Sequence, residues 1–136
     1  MASEPVDSGL SDEDATLVTL ARAARMRSVR ITDAAPLAGA ALRDRMGRTY
    51  AAGTVQTSAA SLDALMLVVA MAATSGAEGA EAAVVMVDPT WCEDTGDDGV
   101  PKAFTTGVRM LTERAGTGVP VLWCAGDGTL IFRSAS

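Results

Sequence analysis

The chain contains no histidine. Without an imidazole there is no side chain whose ordinary pKa lies near neutrality, no Ser-His-Asp or Cys-His nucleophile, and none of the common zinc sites that use a His ligand. Cysteine is scarce: Cys92 and Cys124 stand 32 residues apart with no CxxC pairing. A reduced intracellular state is therefore expected, and a metal site is not indicated. Long apolar runs are missing too. The uninterrupted run Ala64 to Ala73 is ten residues long, against roughly 20 for a helix that crosses a bilayer. The N-terminal MASEPVDSGL is polar and acidic, without the basic start and apolar run of an export signal. A cytoplasmic protein with no membrane contact is expected.

Basic charge is the next shortage. Lys and Arg total 11 against 17 Asp and Glu, for a formal charge of −6, which argues against nucleic acid as a partner. Ten of the basic residues are Arg. Several cluster (Arg22, Arg25, Arg27, Arg30, then Arg43, Arg45, Arg48), and a solvated surface is the simpler reading over a phosphate-binding patch. At 136 residues the chain is expected to form one domain with a substantial core.

The organising stretch is Ser58 to Gly76. From Ala59 to Ala73 it carries one charge, Asp63, and is otherwise small or apolar on all sides, the signature of a helix buried in a domain. Ser58 or Ser61 is expected to cap it, with Asp63 in the first turn and Gly76 closing it. Residues 1–10 read as a disordered tail ahead of a single domain, 11–136. Ser11-Asp12-Glu13-Asp14 reads as a helix entry, with Leu17, Leu20, Ala21 and Ala24 at helical spacing and an end near Ser28. Ala38 to Leu42 and Arg48 to Val55 read as a β-hairpin turning near Asp44 to Gly47. Ala82 to Val87 is a short apolar run suited to a strand covered on both faces. Ala103 to Ala115 reads as a further helix, and Val119 to Cys124 and Thr129 to Phe132 as two last strands. The order α-β-β-α-β-α-β-β implies a three-layer α/β domain with a mixed sheet of about five strands.

The run Gly39 to Val55 (GAALRDRMGRTYAAGTV), the apolar central helix, the following strand, the second helix and the VPV strand resemble the small homotetrameric cytidine deaminases. The likeness covers most of residues 14–132 and implies their three-layer α-β-α fold. In that family a Cys-Ala-Glu at the central helix supplies a zinc ligand and a proton-carrying Glu, and a Pro-Cys-x-x-Cys at the next helix supplies two more ligands. Zinc-activated water then attacks C4 of cytosine. Aligned on Gly76 and on Arg109, those motifs fall on Asp63-Ala64-Leu65 and on Thr105 and Val108. No Cys or His occurs from 58 to 76 or from 101 to 116, so no shift of register restores the set. The family's nucleoside-binding Asn-x-Glu corresponds to Thr54-Val55-Gln56, which keeps hydrogen-bonding capacity without the carboxylate.

The resemblance therefore implies no catalytic residue and no zinc or other cofactor in this chain. Asp63 is first a carboxylate for helix-start amides, and second an acid that touches a ligand. Arg109 is read as a surface residue, with contact to the helix start or pairing with Asp63 as the alternatives. Thr54, Gln56, Thr105 and Thr106 either line a remnant pocket or fill a vacated one with polar groups. The loop acids Glu93, Asp94, Asp97 and Asp98 lack EF-hand spacing and read as solvated. Met66, Met71 and Met86 are expected in the core, as are Trp91 and Trp123, two of only five aromatic residues. Cys92, in an acidic loop, is a poor nucleophile.

The function expected is a non-catalytic nucleoside- or nucleotide-binding or assembly module, with a nucleoside deaminase using a non-standard site as the alternative. Leu62, Leu65, Met66 and Val69 are the expected apolar surface for self-association into a dimer or tetramer.

Overall fold

The computed structural model describes residues 10–136. Residues 1–9 of the expected tail lie outside the described residues, and Leu10 packs against the core beneath the first helix. That helix, α1 (Asp12–Arg25), begins as expected, with the Ser11 hydroxyl accepting from the Asp14 amide at 3.0 Å and acids at 12, 13 and 14 in the first turn. It stops three residues short of Ser28, because the Ser28 hydroxyl is drawn into the sheet. It donates to the Ala38 carbonyl and accepts from the Thr54 amide, both at 3.1 Å.

Strands β1 (Gly39–Arg43) and β2 (Thr49–Gly53) form the expected hairpin. With β5 (Ala82–Met86), β6 (Pro120–Cys124) and β7 (Leu130–Ala135) they make a five-stranded sheet in the order β2-β1-β5-β6-β7. Only β5 and β6 run parallel. The sheet is thus mixed, as expected. Pro120 opens β6, where its missing amide hydrogen breaks no ladder of interior bonds.

The three layers follow from the strand period of two. In β5, Ala82, Val84 and Met86 face α1 together with Leu17, Val18, Ala21 and Ala41. The alternate residues Ala83 and Val85 face the opposite layer with Ala40, Leu42, Val121 and Trp123. That layer holds α2 (Ala64–Thr74) and α3 (Thr105–Ala115). Trp123, fully buried, meets Phe104 edge-on at 5.3 Å and stacks on Phe132 at 5.5 Å, while its indole N–H donates to the Ser134 hydroxyl at 2.9 Å. On the other side α1 lies so close to the hairpin that a side chain at Gly39 would collide with the Ala21 carbonyl.

The central helix differs from expectation at its start. Residues 55–62 form a small hairpin, β3 (Val55–Gln56) with β4 (Ser61–Leu62). Neither Ser58 nor Ser61 caps the helix; Asp63 does, from outside the first turn. The reason is local: the Thr57 hydroxyl accepts the Ala59 and Ala60 amides at 3.1 and 3.2 Å, a turn that competes with helix. Gly76 follows the helix at φ +83°, the left-handed exit expected of it.

Nor is α2 enclosed on all sides by its own chain. Ala64, Leu65, Val68, Val69 and Ala72 are buried, but Met66, Leu67 and Ala70 are half-buried and Met71 is 42% exposed. Two corrections follow. Leu65 and Val69 belong to the domain interior, not to an assembly surface, and of the three methionines only Met86 is fully in the core. Among the described residues no helix is long and apolar enough to cross a membrane.

Candidate functional site

The starts of α2 and α3 meet at Asp63. As N-cap of α2, its carboxylate accepts the Met66 amide at 2.7 Å, and the Gly107 backbone of α3 lies against its Oδ1, so that the amides of Leu65 and Gly107 also favour its ionised form. Burial pushes the Asp63 carboxyl above its ordinary pKa, and the three amides only partly offset this. The head of α3, which carries Thr105 and Val108 on either side of Gly107, therefore lies against Asp63. Leu65, where the resemblance implies a proton-carrying Glu, is completely buried among aliphatic neighbours.

A cavity of about 240 Å³ opens beside Asp63. Its walls are Thr54, Ser61, Leu62, Asp63 and Met66 on the α2 side, Trp91, Ala103 and Thr106 opposite, and the strap Ala34-Ala35-Pro36 across one flank. Ala34, Trp91 and Ala103 are shared with an outer recess of about 610 Å³ that reaches Thr90, Asp94 and Lys102. The single lysine there is paired with Asp94 at 3.4 Å.

Three of the six candidate residues, Thr54, Asp63 and Thr106, line this cavity. The other three do not. Gln56 is turned toward the strap: its Oε1 accepts the Ile31 and Thr32 amides at 2.9 and 3.0 Å, and its Nε2 donates to the Thr32 hydroxyl at 3.0 Å. Thr105 is half-buried as the first residue of α3, and Arg109 is exposed one turn further on. Thr54 itself is largely committed, donating to the Pro36 carbonyl at 2.7 Å and accepting the Ala38 amide at 3.1 Å. The two positions that correspond to the nucleoside-gripping motif thus anchor the segment that walls the cavity.

Sequence reasoning missed Ser61 and the strap, and placed Met66 and Trp91 in the core. The cavity depends on residues 34–36 joining its wall, held there through the Pro36 carbonyl by Thr54, a long-range contact with no local signal; the one cue was that a half-buried aromatic such as Trp91 has a preference for interfaces. Cys92, half-buried, has its thiol pushed up by burial and by the charge of Asp88, in line with its reading as a poor nucleophile.

Zinc takes thiolate, imidazole or carboxylate donors. The three convergent positions offer a carboxylate already engaged by amides (Asp63), a hydroxyl (Thr105) and an isopropyl group (Val108). Among the described residues no three His, Cys, Asp or Glu side chains come together in a way that could hold a metal ion. These side chains do not fit zinc.

Residues 10–116 match the profile of the cytidine deaminase-like family. No curated relative matches in sequence. Among solved structures, the chain is similar to cytidine deaminase from Burkholderia pseudomallei, with a TM-score of 0.71 at 14% identity over 93% of this chain and 92% of that one. It is also similar to the cytidine deaminases of Mycobacterium leprae (TM-score 0.64, 18% identity, 89% and 91% covered) and Mycobacterium tuberculosis (0.61, 19%, 80% and 81%). At such identities the likeness is one of fold. With a family profile matched over most of its length, the chain belongs to the cytidine deaminase-like family.

Proposed function

We propose that this domain is a non-catalytic, zinc-free member of its family that binds a nucleoside beside Asp63. The observation that carries the reading is a cavity beside Asp63, where two helix starts meet, with a buried Leu65 where the resemblance implies a proton carrier. Hydrolytic deamination needs an activated water and a group to move protons, and neither has a side chain to supply it there. Binding asks for less. The half-buried Trp91 offers a face for a heteroaromatic ring, and the exposed hydroxyls of Ser61 and Thr106 offer neutral hydrogen-bonding groups. Among the described residues, the one charged group in the cavity wall is an acid, Asp63, and the one cation in the outer recess is paired. An uncharged nucleoside suits such a site better than a nucleotide.

Thermal shifts with cytidine, deoxycytidine, other nucleosides and their monophosphates test this. A nucleoside is expected to raise Tm, and its monophosphate to do so less at equal concentration; a flat panel removes the reading. Ammonia release from cytidine with or without added zinc is expected to be nil, and turnover in either case would restore the deaminase reading.

A second role, self-association, is favoured by the open apolar side of α2. Met66, Leu67, Ala70 and Met71 present a surface suited to burial against another copy. A dimer or tetramer at micromolar concentration is the expected mass in solution, and a monomer overturns it.

A further inference from the structure

We propose that the Asp63 carboxylate is a shared cap that pins α2 to α3, so that one acidic side chain does the joining that the resemblance would assign to a metal ion. Every helix start leaves amides without intrahelical partners, and two starts brought together inside a protein must satisfy both sets. The helix α2 is capped by its own Asp63, but α3 has no cap of its own: no acid lies in its first turn, and Phe104, its N-cap, makes no side-chain capping bond. Asp63 Oδ1 accepts the amide of the third residue of its own helix, Met66, and stands against the backbone of the third residue of the other, Gly107.

The approach is close enough to dictate the residue at 107. A Cβ there would lie 2.7 Å from Asp63 Oδ1, 2.8 Å from Leu65 Cβ and 2.9 Å from the Met66 amide nitrogen. Glycine lets the α3 backbone reach the carboxylate directly, and little room is left between the two helix heads for an ion and its ligands. The fold is then independent of metal. This holds whether or not the cavity takes a nucleoside.

Amide hydrogen exchange of the full chain, followed by NMR, separates a shared cap from an ordinary one. In Asp63→Ala the amides of both Met66 and Gly107 are expected to exchange at least about tenfold faster, the effect of losing a hydrogen bond to a charged group. Acceleration at Met66 with Gly107 unchanged would reduce Asp63 to a cap of α2 and overturn the proposal. Should Asp63→Ala fail to fold, Asp63→Asn keeps an oxygen at the Oδ1 position that stands against both helix heads but removes its charge. Both amides are then expected to lose protection together, by a smaller factor, and a loss at Met66 alone or at neither is an equally clear refutation. The Tm of the untagged wild-type chain is expected to be the same after chelation and after addition of one equivalent of zinc; a fall on chelation would mean that a metal, not Asp63, joins the helices.

Discussion

Asp63 and Asp44 are carboxylates whose surroundings act in opposite directions on acid stability. Burial dominates at Asp63 and raises its pKa above the ordinary 3.8. The folded state therefore disfavours its ionised form: the cost is present above the raised folded value and is relieved as pH falls through that value toward 3.8. The stability of the wild type relative to Asp63→Asn, which cannot ionise, should rise over that interval, as chemical denaturation at a series of pH values would measure. Asp44 is also desolvated, but the amides of Arg48 and Met46, the Tyr50 hydroxyl and the Arg48 guanidinium outweigh this and hold its carboxyl below 3.8. Its contribution is present above 3.8 and lost as pH falls through the lower folded value. Asp44→Asn should accordingly lower Tm at pH 7 and lose its effect in strong acid. At Gly107 the expected cost is steric. Gly107→Ala forces a methyl group against Asp63, Leu65 and Met66 and should destabilise by about 1–3 kcal/mol in urea titration. The sequence made Asp63 conspicuous as the lone charge in an apolar stretch. Its second partner was hidden, because nothing local to Gly107 announces a contact with a residue so far back in the chain.

Most elements were legible because their signals are local. Ser11 and three acids announced α1, and the apolar Ala82–Met86 run announced a strand covered on both faces. The start of α2 was not, since small residues such as Ala59 and Ala60 suit a turn as well as a helix, and Thr57 decides between them through side-chain bonds to the backbone. The strap was equally hidden. Residues 31–36 are held by Gln56 and Thr54 from another part of the chain, and Val29 pairs with Val55 as an isolated bridge. Gln56→Ala should release the Ile31 and Thr32 amides, speeding their exchange while leaving the sheet protected. If the strap walls a ligand site, the same substitution should weaken any nucleoside-induced rise in Tm.

For the molecule as a whole, the layer architecture and mixed sheet could be derived from element order, but the side of α2 left open could not. An apolar helix hides its orientation, because its weak sidedness gives no stripe to follow. Leu65 and Val69 turn inward, and the face left open by the rest of the chain is built on Met66, Leu67, Ala70 and Met71. Introducing charge at its most exposed point, Met71→Glu, should shift the mass in solution toward the monomer by light scattering, with the circular dichroism of the fold unchanged. An unchanged oligomer would place the interface elsewhere.

The two tryptophans have settled into unlike surroundings. Trp123 is sealed between Phe104 and Phe132, whereas Trp91 stands half-buried at the junction of the cavity and its outer recess. The chain thus carries two built-in optical reporters. Fluorescence from Trp123 follows global unfolding, and quenching by added iodide or acrylamide should act first on Trp91, so that occupancy of the cleft can be read without a label while the fold is monitored in the same cuvette.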